Sequence, residues 1–377
     1  MNEGIQMLDL KGQYDKIKDE IDIRIQEVID SARFIKGPIV AEFESDLSRY
    51  LGGTHVISCG SGTDALQIAL MALDLKCGDH VIIPAFNYIS TIEVIVLLGL
   101  VPILVDVDPD TYNISISEID RSITEKTKAI VPVHLFGQAA DMEEIMSLAQ
   151  RHGLYVIEDN AQSFGARYTS SNGHTSKTGT IGHIGCTSFF PTKTLGCYGD
   201  GGAIYTSDEN LALRIRMIAN HGQRIKYHHE IVGINSRLDA LQAAILTVKL
   251  KYLDHHSESR QRAATIYDKE LEGIAEISLP QQVERRFHVF HQYTLRISNG
   301  LRDSLKGYLA ERGIASMVYY PLPLYRQLAY TNHFPKHELP ITEQLCSEVL
   351  SLPIHSELSE DTIQYICDCI RAFFRES

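Results

Sequence analysis

One lysine, Lys193, lies where its amine could do chemistry. The residues before it offer hydroxyl groups on Ser188 and Thr192 and a stiffening Pro191, and four glycines follow within nine residues. Residues 203–206 are apolar and β-branched and are predicted to form a buried strand. Because a lysine between such a turn and a central strand is poorly placed to be a solvated charge, it is a candidate for nucleophilic or proton-transfer chemistry. On this segment alone, a loop lysine without a chemical role remains the alternative.

Asp159 is a second candidate, because it follows a predicted strand over residues 154–157. A carboxylate at the end of a buried strand is costly to ionise unless a cation meets it, and a protonated pyridine nitrogen is such a cation. Gln162, three residues further on, could donate a hydrogen bond to an oxygen on the same ring. An aspartate that only caps the start of a helix is the alternative.

A glycine-containing turn at residues 60–64 joins a predicted strand, 55–59, to a predicted helix, 65–75. The unpaired amides at a helix start favour an anion such as phosphate, and Thr63 can add a hydroxyl. A plain strand–turn–helix connection is the alternative, and no Walker sequence follows. Tyr88, in the loop after the next predicted strand, could stack on a flat ring or could simply pack.

The composition is that of an ordinary globular protein of 377 residues, with 44% hydrophobic and 22% charged residues. The formal net charge of −13 argues against general nucleic-acid binding, which needs a basic face. None of the seven cysteines has the spacing of a zinc site, so we expect free thiols and no metal. With no signal peptide evident and no apolar run near the ~20 residues of a membrane span, we expect a cytoplasmic protein without a membrane partner.

Predicted strands and helices alternate through the first two thirds of the chain. This alternation is typical of an α/β fold with a mostly parallel sheet and helices on both faces. The length favours two domains, which we place at 1–253 and 254–377, the second being a smaller α+β domain. The predicted strands are 55–59, 81–83, 102–106, 129–133, 154–157, 203–206 and 292–297, and the predicted helices include 14–33, 39–51, 65–75, 142–152, 260–271, 301–312 and 361–374.

Asp159-Asn160-Ala161-Gln162, Ser188-Phe189 and Lys193, in this order and spacing, make the chain similar to the DegT/DnrJ-type sugar-nucleotide aminotransferases. The resemblance covers essentially the whole chain, from Leu8-Asp9-Leu10 to the segment 320–324. It implies the aspartate aminotransferase fold, pyridoxal phosphate (PLP) fold type I, with a large domain and a smaller C-terminal domain. It also implies PLP as the cofactor, which alternates with its aminated form, PMP.

The resemblance also assigns roles to individual residues. Lys193 matches the lysine that carries the cofactor and Asp159 the acid that pairs with the pyridine nitrogen, so both are implied to be catalytic. Asn235 matches a residue that reaches the phosphate in the neighbouring subunit, which implies a homodimer with shared active sites. The other implied cofactor contacts are Gln162 near the phenolic oxygen, Tyr88 stacked on the ring face, and Gly62, Thr63 and Ser188 in the phosphate cradle.

Within the family, segment 188–202, His228-His229 and segment 235–239 look most like those of UDP-2-acetamido-2-deoxy-3-oxo-glucuronate aminotransferases. That similarity implies amination of a C3 ketone with glutamate as donor, in the biosynthesis of lipopolysaccharide or another surface polysaccharide. Tyr319-Tyr320-Pro321 replaces the usual His-Tyr-Pro and Asn160 replaces a usual alanine, so another 3-keto or 4-keto sugar nucleotide, such as a dTDP-linked one, stays open. The candidate substrate contacts are Arg237, His229, Tyr319 and Tyr320, with an interface salt bridge as the alternative for Arg237.

In the implied reaction, Lys193 moves a proton between the substrate carbon and the cofactor, while Asp159 keeps the ring nitrogen protonated. Glutamate and a sugar nucleotide are the implied small-molecule partners. A PLP-dependent sugar dehydratase of the same fold has histidine in place of the lysine, so Lys193 argues against that activity. A non-catalytic sensor or regulatory protein is disfavoured because Asp159, Gln162, Ser188 and Lys193 are all retained.

Overall fold

The computed structural model describes residues 4–334 and 338–376. Numbered along the chain, its helices are α1 (Leu10–Ser31), α2 (Pro38–Tyr50), α3 (Gly62–Ala72), α4 (Ser90–Leu97), α5 (Ile116–Ser122), α6 (Met142–His152), α7 (Glu209–Ile218), α8 (Ala240–Leu250), α9 (Leu253–Leu271), α10 (Arg302–Glu311), α11 (Pro340–Glu348) and α12 (Glu360–Glu376). Its strands are β1 (His55–Cys59), β2 (His80–Pro84), β3 (Val101–Val105), β4 (Thr127–Ile130), β5 (Tyr155–Asp159), β6 (Arg167–Thr169), β7 (Thr175–Lys177), β8 (Ile184–Ser188), β9 (Gly202–Thr206), β10 (Gln223–Ile225), β11 (His228–His229), β12 (Ile277–Ser278), β13 (Arg286–Phe287), β14 (Tyr293–Ile297) and β15 (Val349–Leu352).

A seven-stranded sheet at the centre has the strand order β1-β9-β8-β5-β4-β2-β3. The pairings from β8 to β3 are parallel, and β9 runs antiparallel to both of its neighbours. The structure therefore confirms the predicted α/β fold with a mostly parallel sheet. Because β5 and β8 are parallel neighbours with Asp159 opposite Cys186, their carboxyl ends lie side by side, where open α/β sheets bind ligands.

Alternate residues of the sheet strands pack on opposite faces, as the two-residue period of a strand requires. Val81 and Ile83 of β2 join a core with α3, α4 and α7, whereas Ile82 between them joins a core with α5 and α6. In β9, Ile204 belongs to the first of these cores, whereas Tyr205 packs with α2 and α8. Helices thus cover both faces, which explains why the strands are short, continuous apolar runs.

The residues after α8 form a second core around the antiparallel sheet β12-β14-β15. Helices α9, α10 and α12 supply much of its apolar surface, with Tyr267, Leu305 and Ile366 fully buried. Ile5, near the N-terminus, pairs with Ile314 and packs against this second core. The division into domains 1–253 and 254–377 stays a prediction, and residues 1–3, 335–337 and 377 lie outside the described residues.

Two further findings hold for the described ranges, 4–334 and 338–376. No helix there combines the length and the apolarity that a membrane crossing requires. No group of three or more His, Cys, Asp or Glu side chains there is arranged to hold a metal ion. The seven cysteines form no disulfide bond.

Candidate active site

Lys193 lies in the loop between β8 and β9, two antiparallel neighbours in the central sheet. The base of the loop is closed by the amide of Phe189, which donates to the carbonyl of Gly201 over 2.8 Å. A side chain at Gly196 would overlap the carbonyl oxygen of Pro191, so glycine is needed for the loop to fold this tightly. These contacts fix Lys193 relative to the ends of the two strands.

The amine of Lys193 borders a cavity of about 490 Å³ at the carboxyl ends of β5 and β8. Nζ has no hydrogen-bond partner among the residues that the structure describes. Burial lowers the pKa of Lys193 to about 8, and the nearby carboxylate of Asp159 acts in the opposite direction. An amine with this pKa is partly unprotonated near neutral pH, so it can act as a nucleophile or a base.

Asp159 ends β5 and presents its carboxylate to the same cavity with only 5% of the residue exposed. Oδ1 accepts a hydrogen bond from the amide of Ala161 over 3.1 Å, and Oδ2 accepts one from the hydroxyl of Thr91 over 3.2 Å. Burial nevertheless raises the pKa of Asp159, and these bonds, with the charge of Lys193, offset the rise only in part. A buried carboxylate of this kind is stabilised by a cationic ligand atom.

Gln162 is held between the large sheet and a tyrosine from the later part of the chain. Its Oε1 accepts a hydrogen bond from the amide of Phe136 over 3.0 Å. Its Nε2 donates to the hydroxyl of Tyr320 over 2.9 Å. Both Gln162 and Tyr320 line the cavity, so the amide group is oriented before any ligand arrives.

The first turn of α3 and the end of β8 approach each other at the cavity wall. Ser61 caps α3 by accepting a hydrogen bond from the amide of Asp64 over 3.0 Å. A Cβ atom added to Gly62 would lie 2.6 Å from Cβ of Ser188, so glycine is required for this approach. The first amides of a helix have no intrahelical partner and favour an anion, and Thr63 and Ser188 add hydroxyl groups beside them.

Aromatic rings form the remaining wall of the cavity. The ring centroid of Tyr320 lies 6.2 Å from that of Tyr88 and 5.9 Å from that of Tyr319. Tyr88 is 55% exposed, so one face of its ring is free to meet a planar ligand. The cavity therefore combines an amine, a carboxylate, an anion-binding helix start and an aromatic surface.

A sequence profile of the DegT/DnrJ/EryC1/StrS aminotransferase family matches residues 15–371. The chain belongs to this family. It is therefore a sugar aminotransferase, and like the rest of the family it depends on PLP. The resemblance seen in the sequence is confirmed, and so is the PLP fold type I architecture that it implies.

Three relatives and one solved structure illustrate the similarity of the aminotransferase to known proteins. A pleiotropic regulatory protein of Geobacillus stearothermophilus is 46% identical over 99% of each chain. A UDP-2-acetamido-2-deoxy-3-oxo-D-glucuronate aminotransferase of Pseudomonas aeruginosa is 46% identical over 96% of this chain and 98% of its own. A UDP-N-acetyl-3-dehydro-alpha-D-glucosamine 3-aminotransferase of Acidithiobacillus ferrooxidans is 42% identical over 98% of each chain. The crystal structure of DesV from S. venezuelae is 38% identical, covers 98% of each chain and superposes with a TM-score of 0.94.

The charged and hydrogen-bonding groups of the cavity suit PLP. The buried carboxylate of Asp159, whose pKa is raised by burial, suits a protonated ring nitrogen. The amine of Lys193 has no hydrogen-bond partner among the described residues, so it is available to the aldehyde. Gly62, Thr63 and Ser188 adjoin one another where the phosphate would lie. When bound, PLP supplies a ring that stabilises negative charge on the substrate carbon.

The cavity brings together most of the residues named from the sequence. Asn235, Arg237 and His229 lie elsewhere in the same chain. Asn235 pairs with Asn220 outside the cavity, and Arg237 lines a separate depression. His229 is exposed on β11, where its Nδ1 lies 2.8 Å from the carbonyl oxygen of His221. The predicted residues that line the cavity are Gly62, Thr63, Tyr88, Asp159, Gln162, Ser188, Lys193, Tyr319 and Tyr320.

Sequence reasoning missed two sets of residues at this site. Thr91, in the first turn of α4, donates to Asp159, and Asn87 donates in turn to the Thr91 hydroxyl over 2.9 Å. No local pattern points to Thr91, because α4 also contains the polar residues Ser90 and Glu93. His291 and Gln292 also line the cavity, but they precede β14 in the second core, and no local pattern points to them.

Glu158, the residue before Asp159, was also missed and lies on the opposite side of β5. It is fully buried, and His134 Nε2 donates to its Oε2 over 2.8 Å while the amide of Gly179 donates to the same oxygen over 2.6 Å. The amide of Ile181 donates to Oε1 over 2.7 Å. These hydrogen bonds connect the end of β5 to the residues before β8. Glu158 therefore helps to fix the position of the neighbouring Asp159 in the cavity.

Proposed function

We propose that the aminotransferase moves the amino group of glutamate to the C3 ketone of UDP-2-acetamido-2-deoxy-3-oxo-glucuronate, in surface polysaccharide biosynthesis. The observation that carries this proposal is the 46% identity, over 96% of the chain, to the Pseudomonas aeruginosa aminotransferase named for that sugar. The Acidithiobacillus ferrooxidans relative, named for a 3-dehydro sugar, also supports amination at C3. Another 3-keto or 4-keto sugar nucleotide, including a dTDP-linked one, is the alternative.

In this reaction Lys193 moves the proton. The amine is desolvated, with a pKa of about 8, so it can take a proton from the substrate carbon and return one near neutral pH. Asp159 holds the ring nitrogen in its protonated form through its negative charge. Tyr319 and Tyr320 line the cavity and pack against the core that contains Phe86, so we expect them to limit the access of water.

The cavity of a single chain has few charges for anionic substrates. Among the described residues that line it there is no arginine, although a sugar nucleotide carries a diphosphate and glutamate carries two carboxylates. Lys36, Arg216 and Arg237 instead line a depression outside the cavity. Glu44 lines the same depression and forms an ion pair with Arg216 over 3.2 Å. Burial, followed by the charges of Arg237 and Arg216, lowers the pKa of Lys36, and Glu44 acts in the opposite direction, so the three cations exceed the one carboxylate beside them. Such a cluster suits an anionic group supplied by another molecule.

We therefore propose a homodimer in which each chain completes the site of the other. Asn235 would reach the partner's phosphate, and Arg237 would contact the substrate there. The surface around them supports an interface, because Phe34, Ile35 and Val232 are exposed apolar side chains. Phe34 and Ile35 adjoin the segment that follows Arg237, since the Ala240 amide donates to the carbonyl of Phe34 over 2.9 Å. His229 lies on the nearby hairpin β10–β11 and is proposed as a further substrate contact.

A two-step assay tests the proposed reaction. Glutamate should convert the PLP-loaded enzyme to the PMP form and release 2-oxoglutarate, and UDP-2-acetamido-2-deoxy-3-oxo-glucuronate should then restore the PLP form. Product mass and NMR would locate the new amine. Lys193→Ala is the matched control and should do neither step. Restoration by 4-keto sugar nucleotides alone would favour the alternative substrate.

A regulatory role is the second candidate, because one relative at 46% identity is named a pleiotropic regulatory protein. Lys193, Asp159, Gln162 and Ser188 nevertheless line one cavity, which favours catalysis. The glutamate step of the same assay distinguishes the two, since a purely regulatory protein would release no 2-oxoglutarate.

A further inference from the structure

His291 places an imidazole in the wall of the cavity that contains Lys193. It directly precedes Gln292 and β14, so it belongs to the second core and not to the large sheet. The residue is 5% exposed, and its Nδ1 atom is buried without a hydrogen-bond partner. Its Nε2 atom has no partner among the described residues either, and it is not fully buried. The imidazole therefore has hydrogen-bonding capacity that the described chain does not use.

The neighbouring His288 shows that this is not a general property of the segment. His288 is equally buried, but its Nδ1 accepts a hydrogen bond from the amide of Phe290 over 2.9 Å, and its ring stacks on that of Phe290 at 3.9 Å. His288 does not line the cavity. Nδ1 of His355 is also buried without a partner, but His355 does not line the cavity, so the distinguishing feature of His291 is its Nε2 atom. That atom is not fully buried and belongs to a residue of the cavity wall, so it is the ring atom that a ligand there could reach.

The backbone holds His291 firmly in this position. The amide of Gln292 donates to the carbonyl of Phe136 over 3.2 Å, and the amide of Val289 donates to the carbonyl of Gly137 over 3.0 Å. Gly137 has a φ of +112°, and a Cβ atom there would lie 2.9 Å from the amide nitrogen of His291, so glycine is required on both counts. Phe136 also donates to Gln162, so one turn positions both His291 and a predicted cofactor contact.

The charge of the ring indicates which kind of ligand atom it suits. Burial, followed by the charge of Lys193, holds the pKa of His291 well below its usual value, so the imidazole is neutral. The carboxylates of glutamate favour cationic partners, whereas a neutral imidazole suits an uncharged hydroxyl or keto oxygen. A sugar offers several such oxygens.

We propose that His291 hydrogen-bonds an uncharged oxygen of the sugar acceptor, a ring hydroxyl or the keto oxygen, and so determines which sugar is aminated. The proposal rests on the proposed amination of a sugar nucleotide. It makes His291 a specificity-determining residue for the second half of the reaction and leaves the first half, with glutamate, independent of it.

The test compares the two half-reactions in three enzymes: wild type, His291→Leu and His291→Gln. In His291→Leu, kcat/KM for UDP-2-acetamido-2-deoxy-3-oxo-glucuronate should fall about tenfold, the effect of one lost hydrogen bond, while the glutamate half-reaction changes less than about twofold. His291→Gln, whose amide nitrogen can reach the place of Nε2, should recover most of the loss. Calorimetric binding of UDP-2-acetamido-2-deoxy-glucuronate, which lacks the ketone, should weaken in parallel, while binding of UDP alone does not.

Equal losses in both half-reactions, or none in the sugar half-reaction, would overturn the proposal. If His291→Leu does not fold, His291→Gln is compared with His291→Asn, whose shorter amide cannot reach; equal sugar kinetics in both would overturn it as well. Failure of the proposed function is recognised separately, because the wild-type PMP enzyme would then react with no ketosugar nucleotide. That result would refute the proposed amination of a sugar nucleotide, and the proposal for His291 would fall with it.

Discussion

The hydroxyl of Thr91 donates a hydrogen bond to Oδ2 of Asp159 over 3.2 Å, joining the start of α4 to the end of β5. An ionised carboxylate can only accept, so the Thr91 hydroxyl gives its proton to Asp159, while its oxygen accepts from the side-chain amide Nδ2 of Asn87 over 2.9 Å. The donated proton favours the ionised form of Asp159, against the effect of burial. Thr91 is therefore a positioning residue for the carboxylate that meets the ring nitrogen.

Replacing this threonine should weaken catalysis without unfolding the protein. Thr91→Val keeps the shape but removes the donor, so the pKa of Asp159 should rise further and kcat should fall roughly three- to tenfold. Steady-state kinetics with glutamate and a ketosugar nucleotide measure the change. Thr91→Ser, which keeps the hydroxyl, is the control and should retain most activity. Wild-type kcat in Thr91→Val would show that the bond has no role.

The second prediction concerns the attachment of the cofactor. Borohydride treatment of the PLP-loaded enzyme should add a pyridoxyl group to Lys193, and Lys193→Ala should show neither this adduct nor the absorbance that accompanies it. Lys249 is the control for a buried lysine outside the site. Burial also lowers its pKa to about 8, but it does not line the cavity. Lys249→Met should therefore retain the adduct. Peptide mapping that finds the label unchanged in Lys193→Ala would refute the assignment.

The third prediction is the pH dependence of cofactor loading. Only the unprotonated amine attacks the aldehyde, so the loading rate of the apoenzyme should rise about tenfold per pH unit below about 8 and level off above it, not near 10.5 as for an ordinary lysine. Asp159 raises the pKa of Lys193, so in Asp159→Asn the plateau should begin at lower pH. Stopped-flow absorbance measures the rates. A rise that continues to about pH 10 would contradict the buried environment of Lys193.

The fourth prediction concerns Glu158. Both carboxylate oxygens accept hydrogen bonds, Oε2 from the amide of Gly179 and Oε1 from the amide of Ile181. The single NH2 group of a glutamine would have to face the donors at one of these two positions, so Glu158→Gln should lower the free energy of unfolding by about 3 kcal/mol. Urea unfolding followed by circular dichroism measures the loss. Glu118→Gln, which removes a surface carboxylate paired with Arg121, should change the stability by less than about 1 kcal/mol. Similar stabilities for the two variants would contradict the structural role of Glu158.

The apolar pattern of the sequence predicted much of the sheet, and the differences have local causes. The predicted helix 65–75 begins earlier, at Gly62, because Ser61 caps it. The predicted strand 129–133 ends at Ile130 because Pro132 has no amide to donate. Strand β8 was missed because Gly185 reads as a break, yet a side chain there would collide with the ring of Tyr205.

The site was predictable only where one short segment carries the signal. Lys193 follows Ser188 within five residues, and Gln162 follows Asp159 within three, so these short segments made them candidates, and the resemblance to the family then supplied their roles. Thr91 could not be found in this way, because it lies 68 positions from Asp159 and the two meet only through the folding of the sheet. The same holds for His291, which is brought to the cavity by the contact between Gln292 and Phe136.

The last prediction tests whether two chains share a site. If Asn235 of one chain serves the Lys193 cavity of the other, then Lys193→Ala and Asn235→Asp are each inactive alone but complement each other. After mixing, unfolding and refolding, half of the dimers are mixed and each has one intact site, so about one quarter of the wild-type activity should return. Mixing Lys193→Ala with Asp159→Asn is the control and should recover nothing, because both residues line the cavity of the same chain. Equal recovery in both mixtures, or a monomer by sedimentation under active conditions, would contradict shared sites, since complementation requires residues from different chains.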